Sequence, residues 1–245
     1  NNNVAVRVSP NAIETAHFNS DGKPDMITAN SGSNDVSILL NSCSAAKGNL
    51  FDYNGDRKTD NSVFRPSTTQ YFVQTLNQFG AAKVLGRPND VLVPADFNGD
   101  RKTDFAYYRP ESGLWVVQEN SFGFGRPIYF LQFGLPEDIP MPADYDGDGK
   151  ADLAVFRPSE GNWYIRRSTD NALQTIRFGS VGDKPVAADF DGDTIADIAV
   201  YRPSTGVWYI LRSLDGQFII RQFGISEDKT VAADYDGDGK ADLEV

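Results

Sequence analysis

Carboxylates recur in this sequence at positions 1, 3, 5 and 9 of a nine-residue pattern. The most acidic copies read DYDGDGKAD from Asp144, DFDGDTIAD from Asp189 and DYDGDGKAD from Asp234. Two others read DYNGDRKTD from Asp52 and DFNGDRKTD from Asp96, and the first reads HFNSDGKPD from His17. In an extended, tight loop alternate side chains turn toward a common centre. Position 4 is Gly in all but the first copy, which lets the backbone turn sharply with φ > 0. A backbone carbonyl at position 7 can fill the remaining gap. Hard oxygen donors at this spacing suit Ca²⁺, which takes six to eight oxygens at ~2.3–2.6 Å, whereas Mg²⁺ needs a tighter octahedron and keeps its waters. Zinc and copper favour His and Cys, and the chain has one of each. The rival reading is a solvated acidic turn. Carboxylates this dense repel one another unless a cation sits among them, and six copies in phase are not chance.

The expected metal ligands are therefore Asp144, Asp146, Asp148 and Asp152, then Asp189, Asp191, Asp193 and Asp197, then Asp234, Asp236, Asp238 and Asp242, with the carbonyls of Lys150, Ile195 and Lys240. Asp52, Asn54, Asp56 and Asp60 with Lys58, and Asp96, Asn98, Asp100 and Asp104 with Lys102, form sites of lower affinity, because Asn keeps the oxygen and drops the charge. The first copy offers Asn19, Asp21 and Asp25, with His17 at position 1 and Ser20 in place of the turning Gly, and is the weakest. Five to six Ca²⁺ are expected. Twenty of the 34 acidic residues lie in these loops, and six bound ions would move the formal charge from -11 to +1.

The loops start 35, 44, 48, 45 and 45 residues apart, the period of a propeller, solenoid or array. After each loop comes an apolar run ending in Arg-Pro, such as FAYYRP, LAVFRP or IAVYRP, then a Ser/Gly turn. An aromatic run follows (YFVQ, WVVQ, WYIRRS, WYILRS), then a segment ending in Phe-Gly at Phe79-Gly80, Phe133-Gly134, Phe178-Gly179 and Phe223-Gly224. A short run such as VLVPA or PVAA enters the next loop. Val, Ile and aromatic residues in short, punctuated runs indicate strands. LAVF and IAVY are apolar at consecutive positions and are expected to be buried on both faces. The fold class is thus all-β, a propeller of about six blades of four antiparallel strands, incomplete or cut from a longer array, in which neighbouring blades must stack to bury their faces. NNNVAVRV could supply an outer strand to the last unit and close the ring; alternatively Asn41–Asn49 marks a boundary within 1–245. Asn1-Asn2-Asn3 is not a natural start, so the chain is expected to be part of a larger protein.

The net charge of -11 argues against nucleic acid and anionic membrane surfaces as partners. No apolar run approaches the ~18 residues of a membrane span. Cys43 alone cannot form an internal disulfide, and a single His disfavours a His-based zinc centre, a Ser-His-Asp triad and a haem pocket alike.

DYDGDGKAD and DFNGDRKTD, with the recurring Phe-Gly, resemble FG-GAP/VCBS repeats, the calcium-loop blades of integrin-α-like propellers. HFNSDGKPDMITANSGSNDVSILLN resembles a VCBS unit. The resemblance covers nearly the whole chain as a single domain, 1–245. It implies Ca²⁺ in the hairpin between the first two strands of each blade, a secreted or cell-surface location, and adhesion, glycan or protein binding, or scaffolding as the role. The twelve Asp of the last three loops match the family's metal positions. An EF-hand would need a twelve-residue loop ending in Glu between helices, and a dockerin would need helices too.

Two further series have two readings each. Trp115, Trp163 and Trp208, with Tyr71, are either sugar-stacking platforms or packing between blades. Arg65, Arg109, Arg157 and Arg202 either ring one face to hold an anionic glycan, or pair with Asp near the loops and stack on aromatics. Glu14, Glu111, Glu119, Glu137, Glu160, Glu227 and Glu244 form no recognisable acid–base constellation. A non-catalytic binding domain is therefore the first expectation, an architectural spacer the second, and a polysaccharide-active propeller enzyme the third.

Overall fold

The computed structural model describes residues 10–16, 25–30, 35–39, 51–55, 60–65, 68–75, 78–84, 86–120 and 128–245. Among them there is no helix, and six antiparallel sheets follow one another along the chain. The first holds β1 (Pro10–Ala16), β2 (Asp25–Asn30) and β3 (Asp35–Leu39), and the second β4 (Asn61–Arg65), β5 (Gln70–Thr75) and β6 (Gln78–Val84). Three four-stranded sheets come next. One is β7 (Val91–Leu92), β8 (Phe105–Arg109), β9 (Leu114–Gln118) and β10 (Ile128–Gln132). The next is β11 (Ile139–Pro140), β12 (Leu153–Arg157), β13 (Asn162–Arg166) and β14 (Leu173–Arg177), and the third is β15 (Lys184–Ala188), β16 (Asp197–Arg202), β17 (Val207–Leu211) and β18 (Phe218–Gln222). β19 (Val231–Ala233) pairs with β20 (Asp242–Glu244). Each sheet is a meander in chain order, and the architecture is that of β-propeller blades. Residues 1–9 and 41–49, which bear on closure and on an internal boundary, lie outside the described residues.

Burial falls from the second strand to the fourth in the four-stranded sheets. β12 and β16 are buried on both faces, β13 and β17 alternate buried with half-buried, and β14 and β18 are mostly exposed. The cause is stacking of sheet on sheet. Leu153 and Val155 of β12 pack with Tyr108, Trp115 and Val117 of the preceding sheet. Ala154 and Phe156, on the other side of the same strand, pack with Ile198 and Val200 of the following one. With side chains alternating along a strand, a sheet wedged between two neighbours needs apolar residues at consecutive positions, as LAVF and IAVY have.

Trp115, Trp163 and Trp208 are completely buried, and each indole N–H donates to the carbonyl of the Phe in its own Phe-Gly pair, Phe133, Phe178 and Phe223. These rings are core, so the sugar-platform reading is overturned. The Gly of each pair has φ between 108° and 145°, and a Cβ there would meet Tyr108, Phe156 or Tyr201 of the second strand.

Candidate metal centres

Every well-described loop is closed by the same bridge, between the residue before position 1 and the Asp at position 9. The pairs are Ala95–Asp104, Ala143–Asp152, Ala188–Asp197 and Ala233–Asp242. The loops therefore sit in the hairpin between the first two strands of a blade, where the family resemblance puts them.

Inside the loop each side chain holds backbone. The position-1 carboxylate accepts the N–H of position 4 through one oxygen and of position 6 through the other, as Asp144 does from Gly147 and Gly149. Position 3 accepts from position 5, and position 5 from position 7. Position 9 is the most deeply set: Asp104, Asp152 and Asp197 are fully buried. Asp152 accepts the N–H of Tyr145 on one oxygen, at 2.9 Å, and that of Ser168 on the other, at 2.6 Å. Asp104 does the same with Phe97 and Asn120, and Asp197 with Phe190 and Ser213.

The loops also hold each other. The position-8 N–H donates to the position-1 carbonyl of the preceding loop, Thr103 to Asp52, Ala151 to Asp96, Ala196 to Asp144 and Ala241 to Asp189, at 2.6–2.7 Å. The position-7 side chain lies over the position-4 Gly of that same preceding loop, Lys150 over Gly99, Ile195 over Gly147 and Lys240 over Gly192. Position 4 is thus Gly for two reasons: its φ is 80–88° in the last five copies, and a neighbour occupies the space a Cβ would need.

Three loops bring carboxylates together. Oxygens of Asp144, Asp146 and Asp152 lie within 4.8 Å of one another, as do those of Asp189, Asp191 and Asp197, and of Asp234, Asp236 and Asp242. These are positions 1, 3 and 9. The position-5 residues Asp148, Asp193 and Asp238 lie outside the trios; Asp148 and Asp193 accept the hydroxyls of Ser168 and Ser213. In the loops from Asp52 and Asp96, Asn stands at position 3: Asn54 donates to Asp60, and Asn98 accepts from the Asp100 N–H. Asp25 begins β2. Asn19, Asp21, Asp56 and Lys58 lie outside the described residues.

Burial pushes the Asp104 and Asp152 carboxyls up to about 6, against backbone hydrogen bonds that pull them down, and neighbouring loop carboxylates add to the rise. Asp96 and Asp197 are raised mainly by burial as well. Within the trio of Asp144, Asp146 and Asp152 no Lys or Arg closes an ion pair among the described residues; Asp191 has one, to Arg212 at 3.3 Å. An all-oxygen, anionic donor set whose members disfavour each other's charge fits a hard divalent cation.

The arginine series does not sit at this end. Arg109, Arg157 and Arg202 close the second strand at the far end of the sheet from the loop. Each makes a two-pronged pair with a buried Asp in the turn that enters the blade: Asp90, Asp138 and Asp183, at 2.8–3.0 Å. Each guanidinium also lies over Tyr107, Tyr164 or Tyr209. Pairing and stacking are borne out, and the partners are turn residues rather than loop residues.

Sequence reasoning missed those Asp, although each stands six residues before a loop and 19 before its Arg. It also missed Asn120, Ser168 and Ser213, 16 residues after the position-9 Asp, and the aromatic at position 2 of every loop. Fixed offset from the repeat was the available signal.

The loops and strands together match a known repeat. Residues 96–155 and 144–200 match the model of the FG-GAP-like repeat. These residues carry FG-GAP-like repeats. No curated protein matches the chain. Among solved structures, an Agrocybe aegerita lectin that recognises non-reducing terminal N-acetylglucosamine is similar at 14% identity, over 96% of this chain and 71% of that one, with a TM-score of 0.53. A catalytically inactive virginiamycin B lyase from Staphylococcus aureus, solved with quinupristin, is similar at 13% identity, over 97% and 76%, with a TM-score of 0.50. At these identities the likeness concerns the fold alone.

Proposed function

We propose that this protein is a calcium-stabilised, non-catalytic binding domain of an exported protein, working in adhesion or in glycan or protein recognition. The observation that carries the calcium reading is the trio of carboxylates at positions 1, 3 and 9, repeated in three successive loops within 4.8 Å. The trio would hold the ion, with the position-5 carboxylate and the position-7 carbonyl as further donors. A bound Ca²⁺ supplies charge compensation, fixing a loop that the next loop leans on through its position-8 N–H. The Asn-containing loops would fill at the higher calcium levels found outside cells, where such modules bind at about 10⁻⁴–10⁻³ M. One Cys agrees with a chain that does not depend on disulfides in that setting. A non-catalytic role is supported by the buried side-chain carboxylates of the entry turns among the described residues, Asp90, Asp138 and Asp183, each of which is matched by an Arg. The fold it shares with a lectin is compatible with sugar binding.

Elemental analysis of protein purified in calcium, followed by calorimetric titration of the stripped protein, tests the reading. Retention of at least three ions per chain, with Mg²⁺ unable to replace them at equal concentration, is the expected result. No retention and no uptake would overturn it.

A further inference from the structure

A cleft of about 360 Å³ opens between the sheet β7–β10 and the sheet β11–β14, within the ~300–1,000 Å³ range of small-molecule sites. Tyr129 and Leu131 line one wall with the Glu119 carboxylate beside them, Lys150, Arg166 and Arg167 the other, and Asn98 joins from the loop beneath. Arg167 is neutralised by Asp170. Among the described residues, Lys150 and Arg166 close no ion pair. Arg166 donates from Nη2 to Asn171 Oδ1 at 3.1 Å, which steadies the guanidinium and leaves most of its five N–H donors for an incoming group. Tyr129 is 43% exposed, and its hydroxyl is anchored on Glu119 at 2.9 Å.

This pair of cations is particular to one cleft. The residue three places after the Trp is Gln118, Arg166 and Leu211 in successive sheets, and position 7 of the loop is Lys in every copy but the one from Asp189, which has Ile195. Leu and Ile thus serve the same fold positions one repeat further on, so neither charge is required to build a blade.

We infer that the cleft binds a sugar residue carrying an anionic group, carboxylate or sulfate. Arg166 and Lys150 take the anion, the guanidinium fork matching its paired oxygens. The Tyr129 ring and Leu131 cover the apolar face of the pyranose, and Asn98 serves its hydroxyls. The inference rests on the ligand-binding part of the reading above and not on its calcium part.

Calorimetric titration of the full chain in millimolar calcium with glucuronate, its uncharged methyl ester and glucose 6-sulfate is the test. Binding of glucuronate or of the sulfate, with the methyl ester weaker by at least about tenfold, supports the inference, and the better of the two names the anion. Arg166→Leu is expected to weaken the charged sugar by roughly tenfold to hundredfold with an unchanged melting temperature, and Tyr129→Ala to weaken all three. No binding of either anionic sugar to folded, calcium-loaded protein overturns the inference and leaves the calcium reading intact. Equal binding of glucuronate and its ester, or indifference to Arg166→Leu, overturns it as well. Failure of calcium uptake with glucuronate still bound would overturn the calcium reading alone.

Discussion

At one end of the sheet β11–β14 a buried aspartate faces an arginine; at the other, three aspartates face one another. Asp138 and Asp152 are both fully buried side chains that organise backbone, Asp138 accepting the Leu135 N–H and Asp152 those of Tyr145 and Ser168. Their charges are answered differently. The cation for Asp138 is Arg157, part of the chain and 2.8 Å away. The trio of Asp144, Asp146 and Asp152 has no such partner within the chain among the described residues, and on the calcium reading its cation comes from solution. The turn end of the blade is therefore self-sufficient, whereas on the calcium reading proposed above the loop end is conditional on a metal ion. Because the loops from Asp52 to Asp234 are hydrogen-bonded one to the next, that reading makes the condition a shared one.

Calcium removal tests this difference with the largest expected effect. An ion that binds only the folded state stabilises it by about 2.7 kcal/mol per site at a hundredfold excess over Kd. For the three most acidic loops that sums to about 8 kcal/mol, comparable with the ~5–15 kcal/mol total of a typical domain. Melting in excess EGTA should fall more than about 10 °C below melting in millimolar calcium. Below the melting range, hydrogen exchange should quicken at Gly147 and Gly149 while Asp138 keeps its protection; equal loss at both ends would break the comparison. The gap also depends on pH. Burial lifts Asp104 and Asp152 from the ordinary 3.8 to about 6 in the metal-free protein. Between those values the folded state holds more protons than the unfolded one, so metal-free stability declines as pH rises from about 4 to 6. Calcium needs the same carboxylates ionised, so the difference between the two melting temperatures should widen over that window.

Arg157→Met probes the other end. It strands Asp138, whose side chain is fully buried, and removes the stack on Tyr164 at 4.3 Å. Breaking a buried pair from one side costs about 3–5 kcal/mol. Urea unfolding should show that loss equally in calcium and in EGTA. A loss confined to calcium would mean that the two ends are coupled through the sheet.

Asp146→Asn gives the fourth loop the side-chain donor set of the third, which has Asn98 at position 3. Calcium affinity at that loop should fall about tenfold, or about 1.4 kcal/mol, as read by calorimetry. In EGTA the variant should be as stable as the parent or slightly more so, because one member of a mutually repelling trio has lost its charge. Destabilisation in EGTA would assign Asp146 a structural role ahead of a ligand one.

Repeat spacing made the blades and loops legible, because a period near 45 residues carries the strand pattern and the acidic pattern together. Both-face burial of LAVF followed from its run of apolar residues, and the structure explains it by stacking on two neighbours. Less visible was the division of labour among Asp residues. Asp148 and Asp146 look alike in DYDGDGKAD, yet Asp146 joins the trio while Asp148 turns to Ser168, a partner 20 residues away that no local pattern displays. Asp138 carries no motif of its own; only its constant distance from Arg157 and from the next loop marks it. The cleft beside Tyr129 was hidden for the opposite reason: Arg166 departs from the repeat, its counterparts being Gln118 and Leu211, while Lys150 follows it.

Thr194 offers the finest test of what the loop demands of its backbone. Position 6 is Gly in the loops from Asp144 and Asp234, with φ of 84° and 90° and no atom near the missing Cβ. Its N–H donates to the position-1 carboxylate, and Thr194 does the same to Asp189 at 2.8 Å while adopting φ of 74°. A β-branched residue in the left-handed region is strained by about 1–2 kcal/mol, and glycine relieves that strain at the cost of a freer unfolded chain. Thr194→Gly should therefore stabilise by about 1 kcal/mol net, measured by urea unfolding in EGTA. If position 6 serves only to point its N–H at Asp189, calcium affinity at this loop should hold. If affinity rises with stability, part of the strain is being carried by the metal-bound form, and the loop end is conditional on backbone shape as well as on charge.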